Sequence, residues 1–334
     1  MPGLRRRGEE IREFIIANIS NNKNIAALTA EHFGISLPAV YKHINRLVSG
    51  NLIGKKSGRF VLQSRQYTYS YRNNGTHTED AVWEKDIKKH FTGTSENIRR
   101  IWTYGFLEIF NNAIEHSNGK KIRVDIEENS IYSSMAISDD GIGIFKKIKT
   151  NLKLLNEKEA LLELAKGKRT TDKKRHSGQG IFFVSKAFDD FVIFSDGIYF
   201  PSEPVKNSPV KAIKTKHSTL VYMGLKNNSR KNLKNVFDEF STETPGDFDK
   251  TIVPIRLANS DDLVSRSQAR RVLSGFELFK EVVLDFSDVA YIGQAFADEI
   301  FRVFPGMYPN TAIKAQNANT EIIDMINRAK NTKL

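Results

Sequence analysis

The stretch from Phe106 to Gly143, FLEIFNNAIEHSNGKKIRVDIEENSIYSSMAISDDGIG, constrains this chain most. It opens as an amphipathic helix. Glu108, Asn112 and His116 recur at i, i+4 and i+8 and so share one helix face. Leu107, Ile109, Phe110, Ala113 and Ile114 supply apolar surface around that face. Two β-rich runs follow, and the second ends in Asp139-Asp140-Gly141-Ile142-Gly143. A carboxylate and an amide one turn apart can hold a water and a divalent metal together. Glycines after Asp139 let a backbone approach a ligand closely.

These residues resemble the GHKL (Bergerat-fold) ATP-binding family, which includes gyrase-type topoisomerases, heat-shock chaperones, mismatch-repair ATPases, histidine kinases and anti-sigma-factor kinases. Its helix motif, Glu-x-x-x-Asn-Ala, is matched by Glu108, Asn112 and Ala113. Its adenine motif, Asp-x-Gly-x-Gly, is matched by Asp139, Gly141 and Gly143. A third glycine motif follows at His176-Ser177-Gly178-Gln179-Gly180-Ile181, and three motifs in the family's order are far more specific than any one. The resemblance implies ATP and Mg²⁺ as cofactors and an α/β sandwich, a mixed sheet with helices on one face. It assigns Glu108 as the base that orients or deprotonates the attacking water or hydroxyl, a role suited to a carboxylate beside a metal-bound triphosphate. Asn112 would hold Mg²⁺ through its amide oxygen. Asp139 would accept from the adenine amino group, which selects against guanine. Gly141 and Gly143 would form the turn and hinge, and Gly178 and Gly180 would line the phosphates.

Between these motifs, Lys166 to Arg175 carries six Lys/Arg and one Asp. A cationic loop beside a glycine turn suits triphosphate binding. In the resembling family it is the lid, so Lys168, Arg169 and Thr171 join the expected cofactor-binding residues. The helix after it, Ile181 to Phe188, would present its N-terminal amides to phosphate. His176 stands where the family usually has glycine and inherits no phosphate role. His116 could touch phosphate or end its helix.

The N-terminal residues 1–63 read as a separate domain. Helices are expected over 9–20, 24–33 and from Ser36, as a cap, to about Val48, with Pro38 in the first turn. Two short strands, Leu52-Ile53 and Arg59 to Leu62, flank Gly54-Lys55-Lys56-Ser57-Gly58. Three helices plus a β-hairpin resemble a winged helix-turn-helix. That resemblance implies a third helix in the major groove of double-stranded DNA, with Ser36, Tyr41, Lys42 and Arg46 facing it. Lys55, Lys56 and Arg59 in the wing would meet phosphates. Residues 1–63 hold ten Lys/Arg against four Asp/Glu, a net +6 that is half the chain's formal +12. Docking of a protein partner is the alternative use.

Residues 64–80 lack helical periodicity and are rich in Ser, Thr, Asn and Tyr, so a linker is expected. A helix over 81–91 leads into the ATP-binding domain, 81–248. His90 lies on a helix too short for a two-component phosphoacceptor. Beyond Pro245-Gly246, residues 249–334 alternate strand and helix, which argues a small α/β domain. It resembles the STAS-like domain that some GHKL proteins carry. The serine switched by phosphorylation in its anti-anti-sigma relatives is missing from Ile292-Gly293-Gln294-Ala295-Phe296, and Ser287 reads as a turn or cap residue. Arg266, Arg270 and Arg271 are candidate polar contacts to the chain's own ATP-binding domain or a neighbour's.

The fold class expected is thus multidomain α/β: winged helix, GHKL sandwich and C-terminal STAS-like domain. The chain has 334 residues, 40% hydrophobic and 27% charged, as in globular packing. It has no cysteine, which excludes disulfides, thiol catalysis and cysteine-ligated zinc. No apolar run is long enough to span a membrane, and residues 1–20 do not read as a signal peptide, so no membrane partner and a cytoplasmic location are expected. The favoured function is ATP-controlled DNA binding with slow hydrolysis as timer. A serine/threonine protein kinase of the anti-sigma type, acting on a separate protein, is the first alternative. A non-hydrolysing nucleotide-gated scaffold is the second. Neither reading fixes whether the chain pairs as a homodimer.

Overall fold

A helical N-terminal unit with its own apolar core precedes a large sheet unit and a C-terminal α/β unit. The computed structural model describes residues 2–20, 24–168, 179–200, 219–258 and 263–332. Helices α1 (Pro2–Asn18), α2 (Ile25–Phe33) and α3 (Leu37–Ser49) come first. Ile11, Ile15 and Ile19 of the first stretch meet Val40, Ile44 and Leu47 of α3, each set at helical spacing. Gly34 in the left-handed region closes α2. Ser36 sits at the N-cap of α3 but makes no side-chain cap bond, and Pro38 fills the first turn. The hairpin pairs β1 (Ile53–Lys56) with β2 (Arg59–Leu62). Its two-residue turn has positive φ at Ser57 and Gly58, the geometry whose twist matches paired strands.

The stretch expected to be a linker is different. Only Gln63 and Ser64 separate β2 from β3 (Arg65–Arg72), which runs antiparallel to β4 (Lys121–Glu128) through eight register pairs. Its composition is polar because one face of this edge strand is in water, and only Tyr67, Tyr69 and Tyr71 turn inward. Tyr71 donates to Asp86 at 3.0 Å, and the Tyr69 hydroxyl lies 2.8 Å from Nε2 of His90. His90 is thereby a packing residue of the sheet edge. The helix expected over 81–91 is α4 (Glu79–Val82), then a π turn to Ile87 and a 3₁₀ turn to Phe91, with Trp83, Ile87 and Phe91 buried.

Helix α5 (Glu96–His116) starts at Ser95, whose hydroxyl accepts from Ile98 N–H. β5 (Tyr132–Asp139), α6 (Ile144–Leu152), α7 (Glu159–Lys166), α8 (Gly180–Ala187), β6 (Asp190–Ser195), β7 (Ile198–Phe200), β8 (Thr219–Lys226) and α9 (Leu233–Glu239) follow. Among the described residues the sheet order is β3-β4-β5-β8-β6-β7, antiparallel at every neighbour pair. α5 and α8 pack on this sheet. A side chain at Gly105 would strike Phe188 and Met223, so glycine lets α5 approach.

The C-terminal unit holds β9 (Lys250–Pro254), α10 (Arg266–Leu273), β10 (Glu281–Asp285), α11 (Gln294–Asp298), α12 (Phe304–Met307), β11 (Ala312–Gln316) and α13 (Thr320–Asn331). Its strands are parallel, in the order β11-β10-β9, so the chain carries both kinds of pairing in separate sheets. A π turn over Glu299–Val303 joins α11 to α12. One apolar cluster runs from Tyr71 through the sheet unit to Ala329, crossing residue 248 without a break. Among the described residues no helix is long and apolar enough to cross a membrane.

Candidate functional site

The C-terminal end of α5 meets the turn after β5, and the meeting is tightly specified. Ser117 Oγ donates to the Ala113 carbonyl and accepts from Gly119 N–H. Ile142 N–H donates to the Ser117 carbonyl at 2.9 Å. A Cβ at Gly141 would overlap that same carbonyl, and Gly143 has φ of 84°. Both glycines of the Asp-x-Gly-x-Gly run are therefore required by the backbone path. Lys147 of α6 donates to the His116 carbonyl at 2.8 Å, a cation on the negative end of α5. His116 thus sits at the helix end.

The two adjacent aspartates are sorted by environment. Asp140 is exposed, and its Oδ1 accepts from the amides of Lys120 and Lys121 at 2.6 and 2.8 Å. Desolvation raises its carboxyl, but the amide bonds and the Lys121 charge together outweigh it and hold the carboxyl low. Asp139 is 6% exposed. Burial pushes its carboxyl up to about 6, against the bonds from Gly141 N–H and the Thr219 hydroxyl that favour the charged form. Thr219 opens β8 directly across from Asp139 and also accepts from Ile144 N–H at 3.1 Å. Nothing local in the sequence ties Thr219 to Asp139. The only available signal was a hydroxyl at the start of an alternating strand.

Glu108 and Asn112 lie half-buried on the face of α5 expected for them. A Cβ at Gly180 would overlap the Glu108 carboxylate, so the start of α8 touches this acid. Tyr104, one turn before, lies near enough that the Glu108 charge adds to burial in raising its phenol. The structure thus brings Glu108 to Gly180, and Asp139 to Gly141 and Thr219. Lys168 is turned elsewhere. Its Nζ donates to the Leu278 carbonyl at 2.7 Å and lies 4.7 Å from the centre of the Phe279 ring, both in the C-terminal unit. Burial there depresses its ammonium. Arg169, Thr171 and Gly178 lie outside the described residues.

In the N-terminal unit, Ser36, Tyr41, Lys42, Arg46, Lys55, Lys56 and Arg59 are all exposed. Lys56 pairs with Arg59 across the hairpin, and Lys55 Nζ lies 5.3 Å from the Phe60 ring centre. His43 is lowered by burial and then by Arg12 and Arg46, which marks a cationic neighbourhood on α3.

Of the three arginines expected to bridge the units, Arg271 does so, with Nε 3.8 Å from Glu159 of α7. Arg266 and Arg270 instead pair with Asp298 and Glu299 within the C-terminal unit. Ser287 donates to Asp285 at 2.8 Å while its own N–H bonds the same oxygen, a turn arrangement. A STAS-like domain of unknown function (DUF4325) matches residues 268–322. The likeness expected of this unit is thereby found, over a limited part of the chain. No curated protein matches the chain.

Proposed function

We propose that this chain is an ATP-binding regulator whose nucleotide state controls DNA binding. The sheet unit is read as a GHKL-type domain and residues 1–63 as a winged helix. One observation carries the nucleotide reading. Asp139 is a nearly buried carboxylate at the turn beside α5; among the described residues it accepts from Gly141 N–H and the Thr219 hydroxyl, where a carboxylate can take about four hydrogen bonds. A buried acceptor of that kind suits the amino edge of adenine. Gly141 keeps the turn narrow, and Thr219 holds the carboxylate in place.

Mg²⁺ fits the same residues. Among the described residues no group of three or more His, Asp or Glu could hold a metal unaided. Mg²⁺ takes only one or two protein ligands when it also binds phosphates. Asn112 would supply its amide oxygen, and the bound ion would neutralise phosphate charge. Glu108 would then accept the proton of an attacking hydroxyl, its carboxylate kept at the start of α8 by contact with Gly180.

DNA binding is supported by the exposure of every expected contact on α3 and the hairpin. Control is supported by the short join of the hairpin to β3, whose neighbour β4 pairs with the Asp139 strand. The test is incubation with labelled ATP and Mg²⁺, resolving free phosphate from phosphoprotein, beside a duplex titration with and without ATP. Free phosphate together with an ATP-dependent DNA affinity supports the reading. Phosphate on an added protein would favour the kinase alternative, and binding without turnover the scaffold.

A further inference from the structure

Lys166 is the last residue of α7 and 1% exposed. Its ammonium donates to Glu163 Oε1 at 2.7 Å, to the Ser274 carbonyl at 3.0 Å and to the Arg271 carbonyl at 3.2 Å. Two of these acceptors are the closing carbonyls of α10, where a cation is favoured by the helix dipole. The Lys166 carbonyl in turn accepts from Thr251 of β9 at 3.0 Å. A Cβ at Gly167 would overlap Phe182 and Phe248, and Lys168 reaches the Leu278 carbonyl. Lys166 and Lys168 of the sheet unit are therefore stitched to the C-terminal unit, with Gly167 packed tightly between them.

The same seam continues to Glu108. Gly180 touches Glu108 at the start of α8. Two residues on, the Phe182 ring lies 4.8 Å from that of Phe248, which lies 5.4 Å from Phe279. On the α7–α10 side the seam is not filled. A cavity of about 160 Å³ opens between Leu162 of α7 and Val272 of α10, spanned by the Glu159–Arg271 pair. Interfaces between packed elements switch between discrete arrangements rather than deforming continuously, and the open space here leaves room for a second one.

We propose that the C-terminal unit regulates the Glu108 site in cis, docking through Lys166 and acting through α8. The proposal gives this unit a function and rests, for its ligand, on the ATP reading above. Whatever loosens α10 from Lys166 would free the start of α8 and weaken the Glu108 site. By reciprocity, nucleotide at that site would tighten the seam.

The experiment compares the full chain with Thr251→Val and with Lys166→Met/Glu163→Leu, the pair designed to leave no buried charge unmatched. Amide exchange is followed without ligand, and 2′/3′-N-methylanthraniloyl-ATP affinity is measured in parallel. We expect exchange over 180–187 to speed up about tenfold, with β4 and β5 unchanged, and affinity for the ATP analogue to fall about tenfold, a usual size for such coupling. Exchange that rises equally in β4 and β5, or not at all over 180–187, would overturn the proposal. Failure of the unaltered chain to bind the analogue sinks the ATP reading alone, and the exchange result still decides the coupling. If the double variant does not fold, Thr251→Val decides.

Discussion

Asp139 and Thr219 stand directly opposite each other in neighbouring antiparallel strands, and the Thr219 hydroxyl donates to the Asp139 carboxylate. Thr219 also accepts from Ile144 N–H, so one hydroxyl fixes both the buried acid and the start of α6. The hydrogen bonds do not cancel the burial, and that imbalance can be measured.

The Asp139 carboxyl titrates near 6 in the fold and near 3.8 when unfolded. Between those values the folded chain holds more protons, so Asp139's contribution to stability falls as pH rises through the window. Below about pH 4 the penalty is absent; above about pH 6 it is complete, about 3 kcal/mol for a shift of about two units. Asp139→Asn should therefore stabilise the chain at pH 7.5 and leave it nearly unchanged at pH 4, read from urea midpoints. An equal gain at both pH values would show that burial of the charge is not the cause. The same variant should lose about 1.5–3 kcal/mol of ATP affinity, the scale of a charge-assisted hydrogen bond.

Glu108 and Gly180 form the second pair. Glu108→Ala should retain ATP binding and lose about 10²-fold in hydrolysis, the usual share of general-base catalysis. Gly180→Ala places a methyl group against the carboxylate and should also slow hydrolysis. If Gly180 acts only by seating Glu108, the double variant will be no slower than Glu108→Ala, since residues acting as a unit are not additive. A further loss in the double variant would give Gly180 a role of its own.

Lys55 and Lys56 sit exposed at the tip side of the hairpin. Replacing both with alanine should weaken binding to all duplexes alike and flatten the salt dependence by nearly two units. Anisotropy titrations over a salt series measure this. An unchanged slope would mean that the hairpin does not meet phosphate.

Local periodicity made much of this molecule legible. Helix α5, the Asp139 turn and α3 follow from spacings within one or two turns of chain, which the fold preserves. The strand β3 was missed because an edge strand buries one face only, so Gln66, Thr68 and Ser70 look like linker. A period of two in Tyr67, Tyr69 and Tyr71 was the signal. Thr219 and Lys166 were not legible in their roles, because each depends on a partner set by sheet register or by docking of distant units. Lys168 looked like a phosphate ligand from its basic neighbours, yet tertiary packing gives it a carbonyl and an aromatic ring. Over 81–91 the sequence predicts a single helix, and burial of Trp83, Ile87 and Phe91 accompanies a wider turn that periodicity does not reveal.

The join between hairpin and sheet yields the most direct test of control. Leu62 ends β2 and Arg65 begins β3, and Gln63, the first of the two residues between, is itself held. Gln63 N–H donates to the Leu52 carbonyl at 3.0 Å, and a Cβ at Gly54 would overlap the Gln63 side chain. A hairpin joined through two residues is placed to follow a shift of β3, and β3 runs beside β4, whose Ile122 pairs with Asp139. A ligand at Asp139 can change DNA affinity only by its differential affinity for two arrangements of this path. Inserting a Gly/Ser segment of about six residues between Gln63 and Ser64 would replace the tie with a flexible coil. Each site should then survive alone, with DNA affinity without nucleotide and ATP affinity both within about twofold of the parent, as expected for a surface insertion. The effect of ATP on DNA affinity should vanish, and so should the effect of DNA on ATP affinity, because the two are one coupling free energy. Duplex anisotropy with and without ATP, on parent and insertion variant, measures both. If the insertion leaves the ATP effect intact, control does not pass through this join, and the path by way of α8 and the C-terminal unit is the one to follow.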